Sequence, residues 1–419
     1  MGYINMKKFN KDKYLKKLRF KKYKRYLYIG IPCILVLLIG IYFAYSKFSV
    51  SKEEDVVRTT VGDFIYGDIV VGAYIDGEYS KIIPGKNDGY IVDKIVCDND
   101  ATGSWNNDSW GIVLTNLTKR TKCNVYFKKQ PSLTEAITTA MSSNPSMFAT
   151  DDPDNNVRYI GANPNNYVYF NCSDYTNPTA DTCELWRIIG VFNNVTKGDG
   201  TKENLVKIIR DESIGNIDWD SNSVNDWSTA TLQQDLNSGT YYTTTLKNDA
   251  TRNAIESVVW NLGGVSSSSY YPSEFYSSER GTTVFLDVPT TWTGKIGLMY
   301  PSDYGYATGG SSSTSRSTCL ATSMSHWDSS SDCYNNDYLF KSGYDQWTLS
   351  PDSNSDINVF DVYSSGTVNQ DHVDFTNSVR PALFLKSDIK VKSGTGESSD
   401  PYQLLYDSLW VPSHQMELD

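Results

Sequence analysis

An uncharged apolar run from Tyr26 to Ser46, YLYIGIPCILVLLIGIYFAYS, is the feature that most constrains this chain. A helix needs about 20 such residues to cross a hydrocarbon core of about 30 Å. Tyrosines stand near both ends of the run, where amphipathic rings favour the membrane interface. The run therefore predicts a transmembrane helix over residues 26–46.

The charge on the two sides of this run is opposite in sign. Residues 1–26 hold eleven Lys/Arg residues and one acid, whereas the rest of the chain holds 27 basic and 48 acidic residues. The overall charge of −11 is thus a sum of about +10 and about −21. Because positive segments stay in the cytoplasm, we expect residues 1–25 to be a cytoplasmic basic tail. Everything after about residue 47 then lies outside the cell membrane.

A basic cluster before an apolar run is also found in nucleic-acid arms and in cleaved signal peptides. The position beside the membrane explains the basic residues without a nucleic-acid partner. A cleaved signal usually has an apolar stretch of about 7–15 residues and an A-x-A-like site. The run here is longer, and FAYSKFS is a poor match to such a site. We therefore expect an uncleaved single-pass anchor with a cytoplasmic N-terminus.

Cysteine usage agrees with export. Cys33 lies within the apolar run, and an even number of cysteines follows it, which is typical of disulfide-bonded exported domains. Fifteen connectivities of these six residues are open. Pairing of sequence neighbours is favoured because each pair flanks a polar segment, and it gives Cys97–Cys123, Cys172–Cys183 and Cys319–Cys333. There is no C-x-x-C, and the three histidines form no ligand-spaced cluster, so a zinc site is disfavoured.

The exported part divides by sequence texture. A short charged stalk over residues 47–59 precedes residues 60–129, where alternating apolar runs bounded by Gly, Asp and Asn predict a small antiparallel β-sandwich-like module. Few predicted helices, many short strands and long loops indicate an α+β domain over residues 131–392. Within it, residues 263–337 are rich in Ser, Gly and Tyr and are expected to form long loops. Residues 393–419 are expected to be a C-terminal tail.

Several segments carry a family resemblance: NNVRYIGANPNNYVYFN, ELWRIIGVF, VKIIRDESIGN, GKIGLMYPSDYGYA, WTLSP, VFDVYSSGTV and SVRPALFLK. Together they resemble an uncharacterised family of membrane-anchored surface proteins of low-GC Gram-positive bacteria. The order of the Trp186–Arg187, Trp347 and Arg380–Pro381 strands is also distantly similar to the C-type-lectin-like fold and the formylglycine-generating enzymes. This resemblance implies a C-type-lectin-like larger domain whose long loops present a binding surface.

Catalytic patterns are weak. No G-x-S-x-G elbow accompanies His326 or His372, and GGSSSTSRS is not a phosphate-binding loop. A glycosidase needs two carboxylates facing a cleft, and the sequence cannot nominate a pair among so many acids. Cys319 and Cys333 are better explained by a disulfide than by the cysteine pair of a formylglycine-generating enzyme. No catalytic residue is assigned, and a binding protein is expected rather than an enzyme.

Two ligand-binding predictions remain. Clustered oxygen ligands in Asp152-x-Asp154-x-Asn156, Asp218-x-Asp220-x-Asn222 and Asp352-x-Asn354-x-Asp356 suit calcium, although none completes an EF-hand. The third loop is preferred because it follows a predicted strand. Otherwise no cofactor is expected.

Aromatic side chains in polar loops offer stacking faces for sugars or peptides, and we predict Tyr304, Tyr306 and Trp327 as exposed ligand contacts. The expected function is a membrane-anchored surface protein whose distal domain binds a glycan or protein ligand. An exported enzyme on the same fold and a structural component of the envelope are the alternatives.

Overall fold

The computed structural model describes residues 69–405 except 87, 108, 118 and 119, together with Lys16. The predicted tail (apart from Lys16), transmembrane helix and stalk lie outside these residues, as does Cys33. Among the described residues, no helix is both long and apolar enough to span a membrane. The chain divides into two compact units, residues 1–128 and 129–419.

The smaller unit is a four-stranded sheet with an added hairpin. Its strands are β1 (Ile69–Ile75), β2 (Glu78–Ser80), β3 (Tyr90–Cys97), β4 (Thr102–Asn106), β5 (Gly111–Thr115) and β6 (Thr121–Lys129). The sheet order is β2-β1-β6-β3, and β4 and β5 form the hairpin. β1 and β6 pair in parallel, so the expectation of antiparallel pairing is wrong for these strands. A parallel pair needs a crossover, and strands β2 to β5 form it.

One face of this sheet holds the core of the smaller unit. Val125 and Phe127 of β6 are buried against Ile112 and Leu114 of the hairpin. The disulfide Cys97–Cys123 links β3 to β6. Strict alternation along β6 sends every second side chain to the opposite face.

The larger unit contains the remaining elements. Its strands are β7 (Phe148–Ala149), β8 (Val157–Tyr159), β9 (Tyr167–Phe170), β10 (Glu184–Thr196), β11 (Lys202–Arg210), β12 (Asn216–Asp218), β13 (Val258–Asn261), β14 (Thr291–Gly294), β15 (Ile296–Gly297), β16 (Gln346–Pro351), β17 (Asn358–Val362), β18 (Val368–His372), β19 (Thr376–Ser378), β20 (Ala382–Leu385), β21 (Lys390–Ser393) and β22 (Gln403–Leu405). Its α-helices are α1 (Leu133–Ser143), α2 (Thr231–Asn237), α3 (Asp249–Ala254), α4 (Pro272–Glu279), α5 (Pro301–Ala307), α6 (Arg316–Leu320) and α7 (Ser331–Asn335). Short 3-10 helices span Pro145–Met147 and Met324–Ser329, and a π-helix spans Tyr241–Thr245.

Two sheets organise this unit. The first has the order β15-β20-β11-β10-β8-β7, with β9 also paired to β10. The second has the order β12-β19-β16-β17-β18. The middle of the long β10–β11 pair is buried, and the mainly apolar side chains there are interrupted by the buried Arg187 and Lys207.

The predicted helix starting near Ser132 is present, since Ser132 accepts from the Glu135 backbone and Glu135 accepts from the Ser132 backbone. This is a capping box. The region predicted as long loops, residues 263–337, instead contains α4 to α7 between its turns. Tyr271 and Tyr300, rather than Ser or Thr, precede the proline that opens α4 and α5. Proline has no backbone N–H to donate, but at the first helical position that N–H would have no acceptor within the helix, so proline is tolerated there.

The prediction that a C-terminal tail begins at residue 393 is wrong for residues 393–405. β22 pairs with β21, Leu404 is fully buried, and Tyr402 exchanges backbone hydrogen bonds with β9. Residues up to 405 therefore belong to the larger unit because their apolar side chains complete its core.

Strands form 37% and helices 19% of the structure. A β-rich architecture with several sheets, which the sequence predicted, is therefore confirmed. The three predicted disulfides are also confirmed, each with an S–S distance close to 2.05 Å: Cys97–Cys123, Cys172–Cys183 and Cys319–Cys333.

Candidate functional site

A fully buried ionic network fastens α5 to the first sheet. The Asp303 carboxylate of α5 lies 2.9 Å from Nη1 of Arg158 in β8 and 2.5 Å from Nζ of Lys207 in β11. Arg158 also contacts Asp152 at 2.5 Å. None of these side chains is more than 2% exposed.

The protonation of Asp303 follows from its partners. Burial alone would raise the pKa of this carboxyl, but Lys207 and Arg158 outweigh burial and hold the pKa at about 2. The Lys207 ammonium also lies 4.4 Å from the centroid of the Tyr300 ring, which faces it. Because these side chains are at most 2% exposed, we assign the network to the stability of the fold and not to ligand contact.

The aromatic residues predicted as exposed contacts are buried. Tyr304 and Trp327 are fully buried with ring centroids 5.1 Å apart, and Tyr306 is 3% exposed. The Tyr304 hydroxyl donates to the Gly366 carbonyl at 2.9 Å. The prediction of exposure is wrong because every residue of α5 is buried, and polar neighbours such as Ser302 bond within the core to Glu279.

The preferred calcium loop is a hydrogen-bonded turn between β16 and β17. Asp352 Oδ1 accepts from the Asn354 backbone at 2.8 Å, and its Oδ2 accepts from Gln370 at 3.2 Å. The Asn354 side chain donates to the Ser266 carbonyl, whereas Asp356 is exposed. The loop does not bring its three side chains onto one another, and calcium there stays a prediction.

A second group of acids lies in the second sheet. Asn377 of β19 donates through Nδ2 to Oδ2 of Asp361 in β17 and to Oδ2 of Asp371 in β18, both at 3.2 Å. Asp345 precedes β16, and its Oδ1 accepts from the Ser364 backbone at 2.6 Å. We call Asp345, Asp361, Asp371 and Asn377 the carboxylate site.

Asp361 is the unusual member of this site. It is 0% exposed, and its Oδ1 has no hydrogen-bond partner among the described residues. Burial, followed by repulsion from Asp371 and Asp345, raises its pKa well above the ordinary range. A carboxyl in this position holds its proton to higher pH, and as the neutral acid it can donate a hydrogen bond.

Asp371 is half-buried, and its pKa is also raised, by burial first and then by Asp345. The hydrogen bond from Asn377 and the neighbouring His372 act in the opposite direction. The Asn377 amide thus hydrogen-bonds both to the fully buried Asp361 and to the more accessible Asp371.

An exposed apolar surface adjoins the end of β18. Phe375 is 53% exposed, and the His372 ring stacks on it with centroids 5.4 Å apart. His372 Nδ1 lies 3.6 Å from Asp374, whose other oxygen accepts from Ser223. The loop that carries the exposed Val224 is therefore tied to this turn.

The cysteines and histidines that were considered for catalysis either have a structural role or lie outside the carboxylate site. Cys319 and Cys333 are fully buried and joined in a disulfide. His326 is exposed on the 3-10 helix before α7, and His414 lies outside the described residues. Among the described residues, no side-chain hydrogen bond places His326 or His372 beside a serine nucleophile.

Sequence reasoning missed Asp361, Asp371 and Asn377. One signal was available, because Asp361 interrupts the apolar run of VFDV in a strand that is buried on both faces. A carboxyl at such a position must be paired, protonated or functional. Asn377 follows a turn and carries no signal of its own.

In the part of the chain that the structure describes, no three or more His, Cys, Asp or Glu side chains converge on a point that could hold a metal ion. Comparisons with protein-family models, with curated proteins and with solved structures find no match for this chain. The resemblance to surface proteins and to the C-type-lectin-like fold therefore stays a prediction.

Proposed function

We propose that this is a membrane-anchored cell-surface protein whose larger unit binds a glycan outside the cell. The apolar run at residues 26–46 and the charge difference across it support the anchor, with the N-terminus in the cytoplasm. A C-type-lectin-like relationship of the larger unit belongs to the same proposal. Its support is the order of strands and the sequence segments named above.

The carboxylate site is the observation that carries ligand binding. Asp371 is the accessible carboxyl of this site and, when ionised, accepts hydrogen bonds, whereas Asp361 is 0% exposed and acts on Asp371 through the shared Asn377 amide. Sugar hydroxyls donate such bonds, and aromatic side chains such as Phe375 commonly face sugar rings. The loop with Val224 and the disulfide-braced core hold this surface in place, which reduces the entropy cost of binding.

A glycan array probed with the full-length chain tests this function, in the presence and in the absence of calcium. We expect the variants Asp371→Asn and Phe375→Ala to lose at least about tenfold in affinity for the glycan that wild type binds. Leu286→Ala is the matched control, because Leu286 is also an exposed apolar residue (78%, against 53% for Phe375) but lies in a different loop. Absence of any glycan signal, or equal signals from wild type and both variants, would contradict the proposal.

A second candidate is an exported glycoside hydrolase. The Asp361 and Asp371 oxygens that share Asn377 are separated by no more than about 6.4 Å, twice the 3.2 Å bond. This bound excludes the spacing of about 6.5–9.5 Å found in inverting glycosidases and is compatible with the spacing of about 5–5.5 Å found in retaining ones. The raised pKa of Asp361 suits a general acid, but Asp361 is 0% exposed and would have to become accessible to substrate. Release of reducing sugar by wild type, abolished in Asp361→Asn, would support hydrolysis over binding alone. Glycan binding without turnover would exclude it.

A further inference from the structure

The outer face of the smaller unit's sheet carries a row of stacked side chains across all four strands. Tyr79 of β2 pairs in register with Tyr74 of β1, and Tyr74 pairs with Tyr126 of β6. The Tyr74 and Tyr126 rings are nearly parallel with centroids 4.8 Å apart. Tyr79 meets the Tyr74 ring edge-on at 5.7 Å, and Lys94 of β3 lies 4.8 Å from the Tyr126 centroid.

This row lies on the face opposite the core. Side chains alternate between the two faces along β6. Cys123, Val125 and Phe127 point into the core, and the opposite face carries Lys122, Asn124, Tyr126 and Lys128. Tyr79 is 64% exposed, and the apolar side chains of Val70, Ile91 and Val96 are also exposed in these strands. The face is therefore accessible to a partner. It exposes more apolar and aromatic side chains than is usual for a sheet face that contacts only water.

The charges on the face favour an anion. Lys94, Lys122 and Lys128 are all exposed, and Lys122 pairs in register with Val70 on the same side. Asp93, beside Lys94, is an exposed acid in the irregular middle of β3. Lys122 and Lys128 are six residues apart, or about 20 Å at the rise of a β-strand. An extended anionic chain lying along β6 would meet both lysines, with Lys94 between them.

The stacking of the Tyr74 and Tyr126 rings favours a sugar polymer over a nucleic acid as the bound chain. Nucleobases need free aromatic faces to stack on, but one face of Tyr126 is covered by Tyr74 and the other by Lys94. The stacked Tyr74 and Tyr126 rings present their hydroxyl groups and ring edges outward. These groups hydrogen-bond sugar hydroxyls. We infer that the open face of the smaller unit binds a linear polyanionic glycan, separately from the carboxylate site.

Binding of the full-length chain to polygalacturonate tests this inference, because that polymer carries one carboxylate on each sugar. Its fully methyl-esterified form is the uncharged control, and single-stranded oligodeoxythymidine is the nucleic-acid control. We expect binding to polygalacturonate that weakens as salt is added. The double variant Lys122→Gln/Lys128→Gln should weaken it by about tenfold or more.

Matched variants separate this surface from general electrostatics and from misfolding. Lys202→Gln neutralises an exposed strand lysine of the larger unit and should change the affinity by less than about twofold. Tyr126→Phe keeps the ring stack and should weaken binding, whereas Asp371→Asn and Phe375→Ala should not. The inference is overturned by equal binding of the esterified polymer, by tighter binding of the oligonucleotide, by no binding at low salt, or by an unchanged affinity of the double variant.

Discussion

Asp303 and Asp361 are both fully buried carboxyls of the larger unit, yet their surroundings differ completely. Asp303 contacts two cations, and every charge of its network has an opposite charge beside it. The Asp361 carboxyl accepts from the Asn377 amide, has other carboxyls nearby, and keeps one oxygen without a hydrogen-bond partner among the described residues. The pKa of the first is lowered and that of the second is raised.

The different partners of the two carboxyls indicate a structural role for Asp303 and a functional role for Asp361. A paired buried charge is costly to break, so Asp303 holds α5 in place. An unpaired buried acid costs stability at neutral pH, and acids with strongly shifted pKa values are concentrated at functional sites. Burial and residue type alone do not distinguish the two, but the partners do.

Removal of the Asp303 charge should have the largest effect. Asp303→Asn leaves Lys207 and Arg158 buried without their shared counter-charge, and we expect the free energy of unfolding to fall by about 3–5 kcal/mol. Chemical denaturation at pH 7 measures this. The control is Asp249→Asn, which removes a surface partner of Arg252 and should cost about 0.5 kcal/mol or less. Equal losses in the two variants would contradict the role of the network.

Acid should destabilise the protein through the same group. The folded pKa of Asp303 is about 2, below its ordinary value of 3.8. Its contribution is therefore present above about pH 4 and is lost as pH falls toward 2, by about 2 kcal/mol in all. Unfolding curves at successive pH values should show this loss in wild type, and Asp303→Asn should lack it.

Neutralising Asp361 should have the opposite sign. Because its folded pKa is raised, its ionisation costs stability as pH rises above 3.8. Asp361→Asn should therefore raise the free energy of unfolding at pH 7 relative to wild type, and the difference should shrink as pH falls toward 3.8. The same variant should weaken binding of the glycan at the carboxylate site, because Asp361 positions Asp371 through the shared Asn377 amide. Destabilisation at pH 7 together with retained binding would show that Asp361 is an ordinary structural residue.

Asp371 should give the smallest change in stability. It is half-buried, so solvent screens its charge, and we expect Asp371→Asn to alter the free energy of unfolding by less than about 1 kcal/mol. The affinity for the glycan bound at the carboxylate site should nevertheless fall by at least about tenfold. Thermal or denaturant unfolding measured beside the array separates these two effects, and a large loss of stability would remove Asp371 from the site.

Periodicity and cysteine spacing predicted the parts of the fold that depend on local sequence. The capped helix at Ser132, the alternating strands of the smaller unit and the neighbour pairing of the cysteines are of this kind. The burial of Tyr304 and Trp327 was not predictable, because it depends on a helix packed by residues far away in the chain. The carboxylate site was hidden for the same reason, since Asn377 reaches Asp361 and Asp371 only through the sheet order.

The protonation state of Asp361 tests the central claim most directly. Carboxyl carbon chemical shifts of ¹³C-labelled protein, titrated with pH, report it, and the signal missing in Asp361→Asn assigns the resonance. We predict that Asp361 is still protonated well above pH 3.8, whereas Asp303 titrates near pH 2. Titration of Asp361 at or below the ordinary value of an aspartate would contradict the account.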